Sequence, residues 1–295
     1  MTDKPKRISY FAKKPTECPV CHNEFKKEEM LTGRGRLIAG KLTAELRRLY
    51  EKNLKFGRIY PLAYPVLVCP DCYYAAYDSD FSTVPEEQAQ ALEQNTQNRQ
   101  AHVEKLFGYL DFHQERTLIT GTASYVLADL CYEHREKSAA PTFKQALSCL
   151  RAAWLFNDIG DDTDKPIFHK IRDYYYIKAT EKYLLTLERM NLADKSQREP
   201  IDSITNFGPD TDKNYGYESI LYLSSYLPYK TRDQITDPQE RTKRLERAKT
   251  FASKIFGTGK SSKSKPSVLV DMTKDLYDEI NDYLKSEAGS DDNNA

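Results

Sequence analysis

The 295-residue sequence has one tryptophan, four methionines and no long apolar run. Its most apolar stretch, Tyr60–Cys69, is short and carries Pro61 and Pro65. A membrane span needs roughly 20 apolar residues, so none is expected. The first residues, MTDKPKRISYFAKKP, are basic but lack an apolar core. They do not read as a secretory signal, and a cytoplasmic chain is expected. Net charge is also missing, since Lys+Arg and Asp+Glu are both 44. That balance excludes a wholly basic nucleic-acid coat and a wholly acidic tail protein.

Catalytic signatures are absent as well. There is no Gly-x-Ser-x-Gly, no dinucleotide fingerprint, no paired acids and no His-x-x-x-His. His102, His113, His134 and His169 are scattered. Gly33-Arg34-Gly35-Arg36 could touch phosphate but lacks the Gly-Lys-Ser/Thr that completes a phosphate loop. No enzyme and no small-molecule substrate are expected.

What is present is cysteine in pairs. Cys18-Pro19-Val20-Cys21 and Cys69-Pro70-Asp71-Cys72 are two C-P-x-C knuckles. Two residues between cysteines let both sulfurs of a tight turn face one ion, with nearby amides offsetting thiolate charge. Four thiolates suit tetrahedral Zn²⁺, and they fill its shell, so the site reads as structural. A mononuclear iron site uses the same ligands and is the second choice. Disulfides would require an oxidising compartment. His22 could replace one cysteine, though four are already at hand. Cys131 and Cys149 fall on apolar helical stripes and read as buried small hydrophobes rather than a redox pair.

The span between the knuckles exceeds the usual ribbon spacing. It must hold an insertion, and Leu42, Leu46 and Leu49 predict a helix over Lys41–Lys55. Pro65–Val68 predicts a strand running into the second knuckle. Thr83-x-x-Glu86 predicts a capping box opening a polar helix that turns apolar at Val103, Leu106, Phe107 and Leu110. Helical periodicity then dominates. Val126, Leu127, Leu130 and Cys131 mark one helix; Phe143, Leu147, Leu150 and Trp154 mark a second, opened by Pro141. A long helix from Asp164 and Pro166 to about residue 192 carries Tyr176, Thr180, Tyr183, Leu187 and Met190 on one face. Pro200–Asn214 reads as a loop. Tyr217–Leu227 is predicted to stop at Pro228, and Asp237-Pro238-x-Glu240 to open the next helix. That helix carries Leu245, Ala248, Ala252 and Ile255. Tyr174, Tyr175 and Tyr176 cannot all enter one core face, because neighbours on a helix point about 100° apart.

The predicted fold is mainly α: a tetratricopeptide-like helical repeat layer with a small N-terminal zinc-ribbon-like β unit held by four cysteines. An ordinary helical bundle would show a similar pattern. The predicted divisions are 16–80 for the ribbon-like unit and 83–256 for the helices. A linker at 257–267, a last helix at 268–285 and a disordered tail at 286–295 follow.

The knuckles, the segment Tyr60–Tyr77 (YPLAYPVLVCPDCYYAAY) and Leu150–Leu155 (LRAAWL) together resemble a bacterial family, domain of unknown function 2225. The resemblance covers roughly residues 16–255. It implies a zinc unit at Cys18, Cys21, Cys69 and Cys72 joined to tetratricopeptide-like helices, and it implies no reaction. One departure is Tyr73, where a glycine is expected after the last cysteine. A tyrosine there must avoid a positive φ or be strained.

Two functions are compatible with these features. The first is a zinc-stabilised scaffold or adaptor that binds another protein, with some of the 21 tyrosines in contact. The second is nucleic-acid binding through residues 1–68, which hold 15 basic and 7 acidic side chains. Lys26, Lys27, Arg34, Arg36, Arg47, Arg48, Lys55 and Arg58 would form its basic face. A solvated face balancing the acidic remainder is the plainer reading of the same charges.

Overall fold

The computed structural model describes residues 7–201, 204, 206–256 and 267–291, with side chains as far as residue 287. Eight short strands come first: β1 (Ser9–Phe11), β2 (Thr16–Glu17), β3 (Glu24–Phe25), β4 (Glu28–Met30), β5 (Ala39–Leu42), β6 (Arg48–Tyr50), β7 (Val66–Val68) and β8 (Ala75–Tyr77). They pair antiparallel as four separate ribbons, β1–β4, β2–β3, β5–β6 and β7–β8. A lone two-stranded ribbon is marginal in water, so these depend on what they pack against. The helices follow: α1 (Asp78–Phe81), α2 (Glu86–Gln94), α3 (Thr96–Phe107), α4 (Leu118–Tyr132), α5 (Pro141–Thr163), α6 (Pro166–Met190), α7 (Tyr217–Lys230), α8 (Pro238–Phe256) and α9 (Ser267–Asp291). The chain is therefore mainly helical, with the four knuckle cysteines in its N-terminal strand region. No helix among the described residues is long and apolar enough to cross a membrane.

From α4 onward each helix packs on the next in chain order. Local chemistry sets the boundaries. Thr117 and Thr120 exchange side-chain-to-amide hydrogen bonds of 3.1 and 2.9 Å and cap α4. Pro141 and Pro166 stand at the first positions of α5 and α6, where no N–H is needed. α5 is buried along most of its length, between α4 and α6. Leu127, Leu147, Leu150 and Trp154 share its core as expected, but Leu130 is half-buried outside it. An aromatic column, Phe107–Phe156–Tyr175, ties α3, α5 and α6 at ring separations of 5.4 and 5.3 Å. On α6, Tyr176, Thr180, Tyr183 and Leu187 are buried and Met190 is half-buried.

Four sequence expectations need correction. The segment expected as a helix over Lys41–Lys55 contains the β5–β6 hairpin. The Thr43 hydroxyl accepts the Glu45 and Arg47 amides at 3.3 and 3.1 Å, a local turn that competes with helix. Leu46 takes a positive φ of 61° there and is fully buried. The Thr83 capping box is not formed. Thr83 donates to the Asp80 carbonyl at 3.0 Å, α2 starts after Pro85, and the helix breaks at Asn95 into α2 and α3. Pro228 does not end α7, which runs to Lys230, with the Thr231 amide closing on Leu227 at 2.9 Å. The tail expected from Ser286 starts as helix: α9 reaches Asp291, and Glu287 pairs with Arg241 at 2.8 Å. The linker expected at 257–267 lies outside the described residues except for residue 267, which opens α9.

The N-terminal ribbons are built into the helical layer. The Pro61–Ala63 turn meets α4 at Gly121, where a Cβ would fall 2.6 Å from that of Ala63. Only glycine permits that approach. The β5–β6 turn reaches farther. Glu45 accepts the Trp154 indole N–H, the Tyr176 hydroxyl at 2.7 Å and the Lys230 ammonium at 2.8 Å. One carboxylate thus joins α5, α6 and α7.

Candidate metal centre

Cys18 and Cys21 sit in the turn between β2 and β3, and Cys69 and Cys72 in the turn between β7 and β8. The two turns repeat one backbone pattern. His22 N–H donates to the Cys18 carbonyl at 2.9 Å and Cys18 N–H to Asn23 at 3.0 Å. Tyr73 N–H donates to the Cys69 carbonyl at 3.0 Å and Cys69 N–H to Tyr74 at 2.9 Å. Closing each turn needs a positive φ after the second cysteine, 62° at His22 and 57° at Tyr73. Tyr73 does not avoid the strain. Its buried ring packs edge-on against Phe112, and its hydroxyl donates to the Leu110 carbonyl at 2.7 Å. Those contacts offset the cost of order 1–2 kcal/mol for a left-handed residue with a side chain.

The turns place four sulfurs within 4.8 Å of one another. Cys18 and Cys72 Sγ are 3.7 Å apart, and Cys21 and Cys69 Sγ 3.6 Å. Metal–sulfur bonds of about 2.3 Å in a tetrahedron put sulfurs about 3.8 Å apart. The spacing therefore fits one metal ion, and it is far from a disulfide bond. The Val20 amide points at Cys18 Sγ from 3.4 Å. Electrostatics agrees with the geometry. Contact with Cys69 and Cys72 lowers the Cys18 thiol to about 4, whereas contact with Cys18 raises Cys69 and Cys72. Like charges this close disfavour one another, so four thiolates together would be balanced by a cation among them. The donor set suits zinc or iron alike.

Arg99 was not singled out by the sequence, yet it completes this site. The residue is 1 % exposed, and its guanidinium donates to the Cys72 carbonyl at 2.9 Å, to Thr96 Oγ1 at 3.2 Å and to the Leu92 carbonyl. A divalent metal held by four thiolates would carry two negative charges, and Arg99, bonded to the Cys72 carbonyl, would be a buried counter-charge near them. Its position four residues before Val103, on the buried side of α3, was the available signal.

The remaining candidates stay apart from the centre. His22 is exposed and lies 3.2 Å from Glu17. His134 meets Asn95 at 2.9 Å, His169 sits by Arg172 at 3.2 Å, and His113 is exposed. Cys131 and Cys149 are buried, and desolvation raises both thiols, Cys131 to about 11. Cys131 Sγ accepts the Ala75 amide at 3.3 Å, so it buttresses β8. In the Gly33–Arg36 stretch, Arg36 bonds back to the Gly33 carbonyl at 2.7 Å.

The basic face is partly engaged within the fold. Lys27 pairs with Asp78 at 2.8 Å, Arg48 with Asp212 at 3.0 Å, Arg58 with Asp162 at 2.6 Å, and Arg47 with Asp158. Half of the eight cations named from the sequence thus bind acids of the same chain.

No solved structure matches this chain. An uncharacterized protein of Borreliella burgdorferi is 45% identical over 282 residues, covering 95% of this chain and 99% of the relative. A family model described as an uncharacterized protein conserved in bacteria, DUF2225, matches residues 11–280, which hold both knuckles and the helices from α1 to most of α9. The chain is a member of that family.

Proposed function

We propose that this protein is a zinc-stabilised, tetratricopeptide-like scaffold or adaptor that binds another protein through its helical layer and catalyses no reaction. The observation that carries the reading is a group of exposed apolar side chains on one side of α6, with the exposed Lys170 among them. Ile167, Tyr174 and Ile177 are 55%, 56% and 39% exposed. Their offsets of 0, 7 and 10 place them within about 80° of one another around the helix. A group of this kind on a stacked helical layer suits an apolar partner surface. The closed four-thiolate centre supports a structural metal, because no coordination position is left for water or substrate. Free cysteines throughout suit a reducing, cytoplasmic setting. Binding of nucleic acid through residues 1–68 has less support, since Lys27, Arg47, Arg48 and Arg58 are engaged by acids.

The test compares proteins and nucleic acids recovered with the tagged full chain and with Ile167→Ser/Ile177→Ser. A protein recovered in stoichiometric amount by the parent and lost by the folded variant is the expected result. Recovery of nuclease-sensitive material by both chains would favour the nucleic-acid reading instead.

A further inference from the structure

The two ends of the β5–β6 hairpin differ in their surroundings. Its turn is fixed at Glu45 among α5, α6 and α7. Its open end carries two loops, residues 33–38 before β5 and residues 51–57 after β6. The strands set the two ends about 10 Å apart. Asn53 fastens the loops to each other. Its side-chain amide donates to the Gly35 carbonyl at 2.7 Å, and its side-chain oxygen accepts the Lys55 amide at 2.8 Å. Its backbone N–H and carbonyl pair with those of Gly57 at 3.0 and 2.7 Å. Gly35 and Gly57 supply the positive φ, 68° and 78°, that these turns require.

This tip presents an aliphatic side chain with cations beside it. Leu54 is fully exposed, more so than any other large apolar side chain among the described residues. Lys52 and Lys55 flank it in sequence and are exposed, as is Arg34, while Arg36 is half-buried. None of the four cations has a carboxylate within 4.0 Å among the described residues, in contrast to Lys27, Arg47, Arg48 and Arg58. Glu51 is the one acid in the two loops.

We propose that this tip docks on an anionic lipid surface, with Leu54 entering below the headgroups and Arg34, Arg36, Lys52 and Lys55 among the lipid phosphates. The charges alone would also suit a nucleic acid, but the apolar groups favour lipid. Single strands are held by stacking bases on aromatic rings. Phe56, the one aromatic residue of the loops, is half-buried and already has the Arg36 guanidinium 4.9 Å and the Lys55 ammonium 5.6 Å from its ring centre. Leu54 has no π-face to offer a base, and hydrocarbon is the solvent that rewards its burial.

Magnitudes make this a reversible contact. Each Lys or Arg near an anionic leaflet strengthens binding about fivefold, so a net of three charges gives about a hundredfold. One leucine leaving water adds about tenfold. The product is comparable to a single acyl chain, which binds a bilayer weakly and reversibly. The proposal concerns the N-terminal ribbons and does not depend on the scaffold reading of α6.

Vesicle flotation of the full chain tests it. The probes are vesicles of phosphatidylglycerol and phosphatidylcholine in equal parts, vesicles of phosphatidylcholine alone, and a mixed-sequence oligonucleotide. The chain should float with the anionic vesicles only, and salt of about 1 M, where screening acts within about 3 Å, should release it. Leu54→Ser should weaken flotation about tenfold, and Lys52→Gln with Lys55→Gln about twentyfold. These positions are exposed, so the melting temperature should stay at the parent value in each variant. Failure to float with the anionic vesicles overturns the proposal, as does equal flotation with phosphatidylcholine alone. Vesicle binding indifferent to Leu54→Ser, with oligonucleotide binding that needs Lys52 and Lys55, would assign the tip to nucleic acid and overturn it as well.

Discussion

Arg99 Nη2 lies 2.9 Å from the carbonyl oxygen of Cys72, a metal-knuckle cysteine, and the arginine is 1% exposed. This contact joins α3 to the second knuckle and places a buried positive charge beside the thiolates. Arg99→Met keeps the length of the stem but strands the Cys72 and Leu92 carbonyls. Each buried acceptor left without a donor costs about 1–3 kcal/mol. The expected outcome is a loss of about 2–5 kcal/mol by denaturant titration and faster transfer of metal to a chelator. A metal-release rate equal to that of the parent would show that Arg99 serves packing alone.

The cysteine cluster predicts one metal ion per chain and none in Cys69→Ser, read by elemental analysis. Structural metal binding is folding free energy, on the order of 10 kcal/mol for small zinc units. Here Val66, Val68 and Tyr74 belong to the same hydrophobic cluster as Leu127, Leu150 and Trp154. Tyr77 N–H also bonds the Tyr132 hydroxyl at 3.1 Å. Metal loss should therefore lower a single cooperative unfolding transition. Two separated transitions would show that the ribbons and helices unfold independently.

Trp154 is the chain's one tryptophan and is 1% exposed. Its indole N–H meets Glu45, and the Arg47 guanidinium lies 5.7 Å from its ring. Its native emission should be blue-shifted and protected from quenchers. Trp154→Ala should cost about 3–5 kcal/mol. Free quenching in the folded chain would contradict the burial.

The reach of sequence reasoning differed by region for identifiable reasons. The knuckles were legible because two cysteines per tight turn is a local constraint, and Tyr73 was flagged at the position that does take a positive φ. The stripe from Tyr176 to Leu187 was legible because a long helix repeats its signal over several turns. The β5–β6 hairpin was not. Three leucines at helical spacing mimicked a helix, while the deciding groups were the Thr43 hydroxyl and long-range partners of Glu45 and Arg47. Arg99 was hidden in a polar stretch because its burial depends on where the second knuckle lands.

Alkaline pH should be the fold's weak side. Burial raises Tyr50 and Tyr64 to about 12, from an ordinary value of 10.0. Between those values the folded chain holds protons that the unfolded chain releases. Linkage then makes stability fall as pH rises through that window, with no contribution below it. Urea midpoints should be unaffected by these groups up to about pH 10 and decline toward about pH 12. Tyr64→Phe should flatten the decline. A parent and Tyr64→Phe pair with the same slope would remove Tyr64 from the account.

The tyrosine run on α6 separates packing from presentation. Tyr175 is 3% exposed and stacks on Phe156 at 5.3 Å with the rings 22° apart. Tyr174 is 56% exposed and leans edge-on against Tyr175 at 5.4 Å. Tyr175→Ser removes a core ring and leaves a cavity, so it should cost about 3–5 kcal/mol. Tyr174→Ser gives up one outer face and should stay within about 1 kcal/mol of the parent. The comparison therefore asks what Tyr174 is for. A ring of that size kept in solvent contributes little to the fold, but it offers rigid amphipathic contact area to another surface. Partner recovery should fall in Tyr174→Ser at unchanged melting temperature. If Tyr174→Ser lowers the melting temperature as far as Tyr175→Ser does, the outer face of α6 belongs to the fold, and the binding surface must be sought elsewhere on the layer.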